Sequence, residues 1–331
     1  TRSLIVTGVQ TCALPIFLER NDVVQSIIDY REKGALRGVF LGFPILHEYY
    51  TMSLPGVTDW TGYAQSGKTE VLLELLLNTS SYYGWKHLLY VPDVGTKDEI
   101  IGILIHKITG KTFDKRYHNS NYITEAETLK ELDWVLQHFF ILHKTDRKAK
   151  ITPYQFWDLA VELKKSHGIK TATIDSWKDL RHGKDSNGES FGRDDKYLED
   201  VLSYRNMIAE EYNLHLHTII HPRNGIEKDK NGNRVPPKPD DLKGGSEWWN
   251  NGKVMITIHR TQGHKNEFSF IVTKAKPQSV AKQGEIKMYL DVTKRRMYWE
   301  YQGEKIFSKK EYVKPNGLSF DHDEDEDNVP F

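Results

Sequence analysis

Cysteine and long apolar runs are nearly absent from this sequence. Its 331 residues include one cysteine, Cys12, so no disulfide can form within the chain, as is typical of proteins of the reducing cytoplasm. No apolar run approaches the roughly 20 residues that a membrane-spanning helix needs. No Cys and His cluster has the spacing of a zinc site, and no Ser, His and Asp pattern indicates a hydrolase triad. These absences argue against a disulfide-stabilised secreted protein, a membrane protein and a zinc protein.

Acidic charge is concentrated near the C-terminus. The chain has 46 basic and 46 acidic residues, and six of the acidic residues fall within residues 321–327. The rest of the chain is therefore basic by about six charges. A basic body with an acidic tail favours a nucleic-acid partner, although charge alone does not identify one.

The first residues do not look like part of the protein. The run VTGVQTCALPI at residues 6–16 looks like one reading frame of a common sequencing-library adapter. We therefore interpret residues 1–16 as an artefact and leave them out of the fold prediction. In this interpretation the true N-terminus is missing and the authentic protein contains no cysteine. An independently cloned copy of the gene that contains the segment would contradict it.

The strongest motif is GYAQSGKT at residues 62–69, which fits the phosphate-loop pattern G-x-x-x-x-G-K-[ST]. Glycines let the backbone curl so that N–H groups point at phosphate oxygens, and the following helix N-terminus favours the same anion. In such a loop Lys68 reaches the β- and γ-phosphates, and the Thr69 hydroxyl binds Mg²⁺. A β-prone run at 57–61 precedes the loop and a leucine-rich helix at 69–78 follows it, as the motif requires. The nucleotide-binding residues predicted within it are Gly62, Ala64, Gln65, Ser66, Gly67, Lys68 and Thr69.

Strands and helices alternate beyond the loop, which predicts a parallel sheet covered on both faces. Predicted helices lie at 21–33, 97–109, 125–137, 154–165 and 197–212, and predicted strands at 88–91, 139–142, 170–174 and 215–220. Polar loops are predicted at 180–196 and 226–241, followed by antiparallel-looking strands at 253–258, 267–273 and 285–292 and a last strand at 296–301. Asp93 and Asp175 stand at the ends of two strands of the parallel part. Since ligands bind at the carboxyl ends of parallel strands, we expect both carboxylates beside the phosphate loop.

The order of these motifs resembles the motor domain of ring-shaped replicative DNA helicases, the DnaB and Twinkle type found also in bacteriophage primase-helicases. The resemblance covers roughly residues 38–299. It rests on the phosphate loop, the two strand-end aspartates, IIHPR at 219–223, DLKGGS at 241–246 and KAK at 274–276. It implies an α/β fold: a RecA-like P-loop NTPase with a mostly parallel central sheet flanked by helices, C-terminal antiparallel strands and a disordered acidic tail.

The resemblance also implies roles for single residues. Asp93 falls where the family places a catalytic carboxylate, and Asp175 looks like the Walker B acid, which would bind the nucleotide's metal together with Thr69. His221 occupies the γ-phosphate sensor position. Lys276 stands where the family has an arginine that enters the neighbouring subunit's site. Lys68, Asp93, His221 and Lys276 are thus the implied catalytic residues.

The two polar loops would face the central channel of a ring and follow single-strand phosphates without reading sequence. The implied DNA-binding residues are Lys228, Lys230, Arg234, Lys243 and Gly244.

Three positions depart from the family pattern. Asp93 replaces a glutamate and is one methylene shorter, and Lys276 replaces an arginine and loses its two-pronged grip on phosphate. Trp248 and Trp249 follow the Gly-Ser element where smaller or polar residues are expected. These departures leave open a weak motor or an ATPase repurposed within the fold.

Structural explanations stay open for the same residues. Asp93 could cap a helix, and His221 could be a packed, satisfied imidazole. Lys276 could be a solvated lysine of an edge strand, and each loop lysine could be ordinary surface charge.

The acidic C-terminus resembles the Pro-Phe-terminated tip of bacterial single-stranded-DNA-binding proteins and the tails of some phage helicases. We expect it to dock on replisome proteins, with Phe331 filling an apolar pocket and the acidic run meeting basic residues. The chain is thus divided into the artefact at 1–16, a linker helix at 17–37, a RecA-like helicase domain at 38–303 and the acidic tail at 304–331. The linker helix would pack on its own domain or dock on a neighbouring subunit.

The function implied is an ATP-dependent replicative DNA helicase motor in the cytoplasm of a bacterial or phage-infected cell. It would use ATP or another NTP with Mg²⁺ at the interfaces of a homo-hexameric ring, translocate on single-stranded DNA and unwind the duplex. The alternative is a RecA-type DNA-binding ATPase that does not unwind, and a non-catalytic scaffold is a third possibility.

Overall fold

The computed structural model describes residues 20–35, 37–117, 121–143, 150–183, 190, 193–223, 228–260 and 266–308. The predicted artefact at 1–16 and the tail from 309 onward, with Phe331, lie outside the described residues, as do parts of the two polar loops. The chain divides into two units, Thr1–Leu36 and Arg37–Phe331. The described part of the first unit contains one helix, α1, and all further elements belong to the second.

The helices begin and end close to their predicted positions. They are α1 (Arg20–Lys33), α2 (Pro44–Tyr49), α3 (Lys68–Tyr83), α4 (Lys97–Thr109), α5 (Glu125–His138), α6 (Pro153–His167), α7 (Asp194–Glu211) and α8 (Gly245–Asn251). Threonine capping boxes start α4, α5 and α6, and left-handed glycines end α3, α4 and α6. The short helices α2 and α8 were not predicted.

Ten strands form one sheet. They are β1 (Gly56–Thr61), β2 (His87–Tyr90), β3 (Phe139–Ile141), β4 (Thr171–Asp175), β5 (His215–Ile220), β6 (Val254–His259), β7 (Glu267–Ala275), β8 (Gly284–Asp291), β9 (Arg296–Tyr301) and β10 (Glu304–Phe307). Their order is β10-β9-β8-β7-β6-β1-β5-β4-β2-β3. Every pairing from β6 to β3 is parallel, and every pairing from β6 to β10 is antiparallel. The predicted fold class, a mostly parallel sheet with C-terminal antiparallel strands, is confirmed.

Two details of the sheet correct the sequence prediction. Strand β6 is predicted as antiparallel, but it pairs in parallel with β1 and is antiparallel only to β7. The predicted domain end at 303 is also too early, because β10 pairs with β9 across a two-residue turn at Gln302 and Gly303. Both turn residues have positive φ, at 51° and 83°, as a tight hairpin turn requires.

The core lies on both faces of the sheet. Successive residues of β6 alternate between two apolar clusters, with Ile256 and Ile258 in the one that contains α3 and α4 and Met255 in the other. The second cluster contains the apolar faces of α6 and α7. This sandwich fixes β1 at the centre of the sheet and so places the phosphate loop at its carboxyl edge. Among the described residues, no helix is long and apolar enough to cross a membrane.

Candidate nucleotide-binding site

The phosphate loop joins the end of β1 to the start of α3. Gly62 has φ +145°, and a Cβ there would lie 2.3 Å from the carbonyl oxygen of Ile258 on β6. Gly67 caps α3 with φ +97°, in the left-handed region that favours glycine. Gln65 also has positive φ, at 62°, and the neighbouring strand therefore leaves the loop one tightly curled path.

Lys68 points back into this loop. Its Nζ donates to the carbonyl oxygens of Gly62 and Tyr63, both at 2.9 Å. Burial lowers the pKa of Lys68 to about 8, against the opposing charge of Asp175. The Ser66 hydroxyl is buried without a hydrogen-bond partner in the described residues. A buried cation and a buried hydroxyl in a curl of backbone N–H groups fit the phosphates of a nucleotide.

Thr69 and Asp175 meet across the site. The Thr69 hydroxyl, in the first turn of α3, donates to Oδ2 of Asp175 at the end of β4. Burial raises the pKa of Asp175 to about 6, and the Thr69 hydrogen bond and Lys68 oppose the rise. Among the described residues, no group of three or more His, Cys, Asp or Glu side chains can hold a metal alone. One hydroxyl and one carboxylate instead fit Mg²⁺, which keeps waters and substrate phosphates among its ligands.

Asp93 and His221 complete the carboxyl edge. His221 follows β5, and its Nε2 lies 3.7 Å from Oδ2 of Asp93. Burial, together with the charges of Lys68 and Lys178, lowers the pKa of His221 to about 4, so it is neutral at pH 7. Partial burial alone would raise the pKa of Asp93, but the hydrogen bond and charge of Lys178 outweigh it and the net pKa is lowered.

Lys276 is the one predicted catalytic residue that lies elsewhere. It follows β7 and borders a cavity of about 170 Å³ together with Gly56, which begins β1, and Lys253, which precedes β6. The phosphate loop and Lys276 are therefore at opposite edges of the sheet. Lys276 is exposed, whereas Lys274 is buried and donates to the carbonyl oxygen of Trp249.

The predicted DNA-binding residues occupy two places. Lys228 pairs with Arg234 across a small hairpin whose tip carries Lys230. The Arg234 guanidinium lies 5.8 Å above the ring of Tyr63 in the phosphate loop. Lys243 is exposed and 3.6 Å from Asp194, and Gly244 has φ +73°, with space for a Cβ blocked by Leu198 at 2.4 Å.

Two cations of the site escape the sequence analysis. Lys178 lies in the turn after Asp175, with its Nζ 2.8 Å from Oδ2 of Asp93. Arg260 follows β6, and its Nη2 would be 3.5 Å from a Cβ on Gly67. The strand-end rule that finds Asp175 could have found Lys178. Arg260 is hidden from that rule by the prediction of β6 as antiparallel.

This fold and site define a RecA-like P-loop NTPase. The loop between β1 and α3, the Thr69–Asp175 pair and the strand-end residues Asp93 and His221 all lie at one edge of a largely parallel sheet. The comparisons with known proteins agree with this class.

The fold is that of the ATPase domain of DnaB-like replicative helicases, and the predicted resemblance is confirmed. The solved ATPase domain of one such helicase superposes with a TM-score of 0.68 at 15% identity, over 84% of this chain and 98% of that one. A DnaB-like replicative helicase, in a structure that describes its interactions with primase, gives 0.66 at 16%, over 84% and 68%.

One curated protein adds a relative in sequence. The Twinkle homolog protein, chloroplastic/mitochondrial, of Arabidopsis thaliana is 22% identical over 237 residues. The match covers 70% of this chain and 32% of the relative, so the chain spans about a third of that protein's length. No protein-family model matches the chain.

Proposed function

We propose that the chain is the motor of a replicative DNA helicase, which hydrolyses ATP or another NTP with Mg²⁺ to move along single-stranded DNA and unwind duplex. The observation that carries the proposal is the convergence of Lys68, Thr69, Asp175, Asp93 and His221 at the carboxyl edge of a helicase-like sheet. The helicases among the solved structures and the curated relative favour this function over a RecA-type ATPase that does not unwind.

Each residue has a chemical role in this proposal. Bound Mg²⁺ would neutralise phosphate charge, and Thr69 and Asp175 would hold it. Lys68 would exchange its two loop carbonyls for β- and γ-phosphate oxygens, which are stronger, charged acceptors. Asp93 would orient the attacking water, and neutral His221 would hydrogen-bond the γ-phosphate.

A short backbone path connects His221 to the candidate DNA-binding elements. Pro222, the next residue, forms a β-bridge with Leu242, and the Arg223 N–H donates to the Asp241 carbonyl at 2.7 Å. Leu242 is followed directly by Lys243 and Gly244. Loss of the γ-phosphate at His221 would therefore move the DLKGGS element and the DNA held there.

Assembly into a ring is part of the proposal. Lys276 lies at the edge opposite to its own phosphate loop, so it can reach a nucleotide only in a neighbouring copy of the chain. A head-to-tail interface of this kind closes into a ring when its rotation allows, and we propose a homo-hexamer. The tail ending in Phe331 would recruit replisome proteins, and deleting Phe331 should weaken their binding in a pull-down.

The test is ATP turnover by the chain with and without single-stranded DNA, alongside unwinding of a forked duplex. We expect DNA to stimulate turnover, and Lys68→Ala to lower it by about 100-fold or more because the cation at the transferring phosphate is lost. Lys287→Ala, which removes a lysine on β8, is the control. Turnover with filaments but no unwinding would favour the RecA-type alternative, and no turnover at all would favour a scaffold.

A further inference from the structure

Lys178 is a cation of the site that the mechanism above does not use. It lies in the 3₁₀ turn Trp177–Asp179, directly after β4 and Asp175. Its Nζ is 2.8 Å from Oδ2 of Asp93, and its side chain is 59% exposed. The end of β4 therefore delivers two functional groups to the carboxyl edge, the buried carboxylate of Asp175 and the accessible ammonium of Lys178.

The surroundings of Lys178 are acidic. Asp93 and Asp179 both lie within reach of the Ser176 hydroxyl, at 3.3 Å and 3.0 Å from their Oδ2 atoms. Lys178 is also close enough to Lys68 and His221 for its charge to disfavour their protonated forms. Its ammonium therefore stands among the groups that border the position of a terminal phosphate.

The ion pair occupies the oxygen of Asp93 that hydrolysis needs. Oδ2 of Asp93 is contacted by Lys178, by the Ser176 hydroxyl and, at 3.7 Å, by His221. A carboxylate that orients water must offer a free lone pair to it. Because the pair is partly exposed, it is weak and exchanges readily for a more highly charged partner. The terminal phosphate of an NTP is such a partner.

We propose that Lys178 is a further catalytic residue of this site, and the proposal rests on the NTPase function proposed above. Its ammonium pairs with Asp93 in the resting state and moves to the γ-phosphate of the bound nucleotide, which frees Asp93 to hold the attacking water. The water oxygen then bonds to the γ-phosphorus while the bond from that phosphorus to the β–γ bridging oxygen breaks. The bond's electron pair leaves with the diphosphate, and the proton of the water passes to Asp93.

This position distinguishes Lys178 from Lys276. Lys178 acts on the nucleotide of its own subunit, whereas Lys276 lies at the opposite edge of the sheet. A cation already present at the site offsets part of what is lost when the neighbour supplies lysine rather than the two-pronged arginine.

The experiment compares affinity for Mg²⁺-ATP and Mg²⁺-ADP in wild type, Lys178→Ala and Lys178→Arg, by calorimetry without DNA, together with ATP turnover. A contact with the γ-phosphate predicts that Lys178→Ala lowers ATP affinity by about tenfold and leaves ADP affinity unchanged. Turnover falls with it, and Lys178→Arg restores much of the ATP preference. The matched control is Lys287→Ala, because Lys287 is also a half-exposed lysine paired to a carboxylate, Glu267, at 3.1 Å.

Two results overturn the proposal. One is an unchanged ratio of ATP to ADP affinity in Lys178→Ala, and the other is faster turnover with unchanged affinities, which would make the pair an inhibitory contact only. Circular dichroism of each variant separates misfolding from a changed site, and Lys178→Arg tests the charge if the alanine variant misfolds. If wild type itself neither binds nor hydrolyses ATP, the NTPase function fails rather than the role of Lys178.

Discussion

Asp59 is a carboxylate in the middle of β1, the central strand that leads into the phosphate loop. It is fully buried, and Arg205 of α7 binds both of its oxygens, with Nη1 to Oδ1 at 2.5 Å and Nη2 to Oδ2 at 3.2 Å. The same guanidinium donates to the Thr218 hydroxyl and lies 5.6 Å from the ring of Trp248. The pair fastens α7 to the strand that carries the site, and it explains why a tryptophan follows the Gly-Ser element.

Removing one member of this pair should strongly destabilise the fold. Arg205→Met leaves the carboxylate of Asp59 buried without its partner, and we expect the free energy of unfolding to fall by about 3–5 kcal/mol. Urea unfolding followed by circular dichroism measures the change. Asp59→Leu combined with Arg205→Met removes both charges and should recover most of the loss. A loss below about 1 kcal/mol in Arg205→Met would show that water or Lys274 replaces the arginine.

Buried histidines make stability depend on pH. His87 and His215 are buried, and burial lowers the pKa of His87 to about 3 and that of His215 to about 4. Both rings make hydrogen bonds as neutral groups, His87 to Thr171 at 2.8 Å and His215 to Thr58 at 2.9 Å. The unfolded chain binds protons below pH 6.5 while the folded chain does not, so stability falls as the pH drops below 6.5.

At pH 5 each histidine should lower the free energy of unfolding by about 2 kcal/mol relative to pH 7. Urea unfolding between pH 7 and pH 5 tests this before the carboxylates titrate, since Glu70, with a pKa lowered to about 2, loses its contribution only below pH 4.5. His215→Asn should flatten part of the slope. A constant stability across this range would contradict neutral burial of the two rings.

At the scale of elements, the hairpin at residues 228–234 connects the candidate DNA surface to the phosphate loop. Asp229 shapes its turn, because its Oδ1 accepts hydrogen bonds from the backbone N–H groups of Asn231 and Asn233, both at 2.8 Å. Arg234 at its base packs over Tyr63. Lys230 and Arg234 thus belong to one hairpin but face different neighbours.

We therefore expect different defects from Lys230→Ala and Arg234→Ala. Loss of an exposed lysine that meets a DNA phosphate should weaken binding and lower the salt slope by about one. Loss of the Arg234–Tyr63 contact, worth about 0.5–1 kcal/mol, should instead raise the KM for ATP even without DNA. Fluorescence anisotropy at several salt concentrations and DNA-free turnover separate the two. The same salt-dependent defect in both variants would assign both side chains to DNA.

How far the sequence predicts these elements depends on the range of the interactions. Strands bounded by local signals, and the convergence of Asp93, Asp175 and His221, follow from apolar runs and the strand-end rule. The partner of Asp59 does not, because Arg205 is 146 residues away in the chain. The position of β6 beside β1 is likewise set by packing on both faces. Strand β10 carried a signal, the two-residue turn at Gln302 and Gly303, that the predicted domain end overlooked.

At the scale of the whole molecule, the sheet separates two halves of the proposed reaction. Its carboxyl edge carries the phosphate loop, and its amino edge carries Lys276 beside Gly56 and Lys253. A copy that binds the nucleotide through one edge and acts on its neighbour through the other needs a head-to-tail assembly. The catalytic unit would then be an interface between two chains.

Mixing two inactive variants tests this division. Lys68→Ala removes the loop cation and Lys276→Ala removes the residue offered to the neighbour, so each variant alone should hydrolyse ATP poorly. In a 1:1 mixture that assembles at random, about a quarter of the interfaces join an intact loop to an intact Lys276, and turnover should recover accordingly. The doubly substituted chain mixed with wild type is the control, because it lowers turnover without creating complementary interfaces. If Lys276 acts within its own subunit, no chain in the mixture has a complete site and turnover stays at the level of the separate variants.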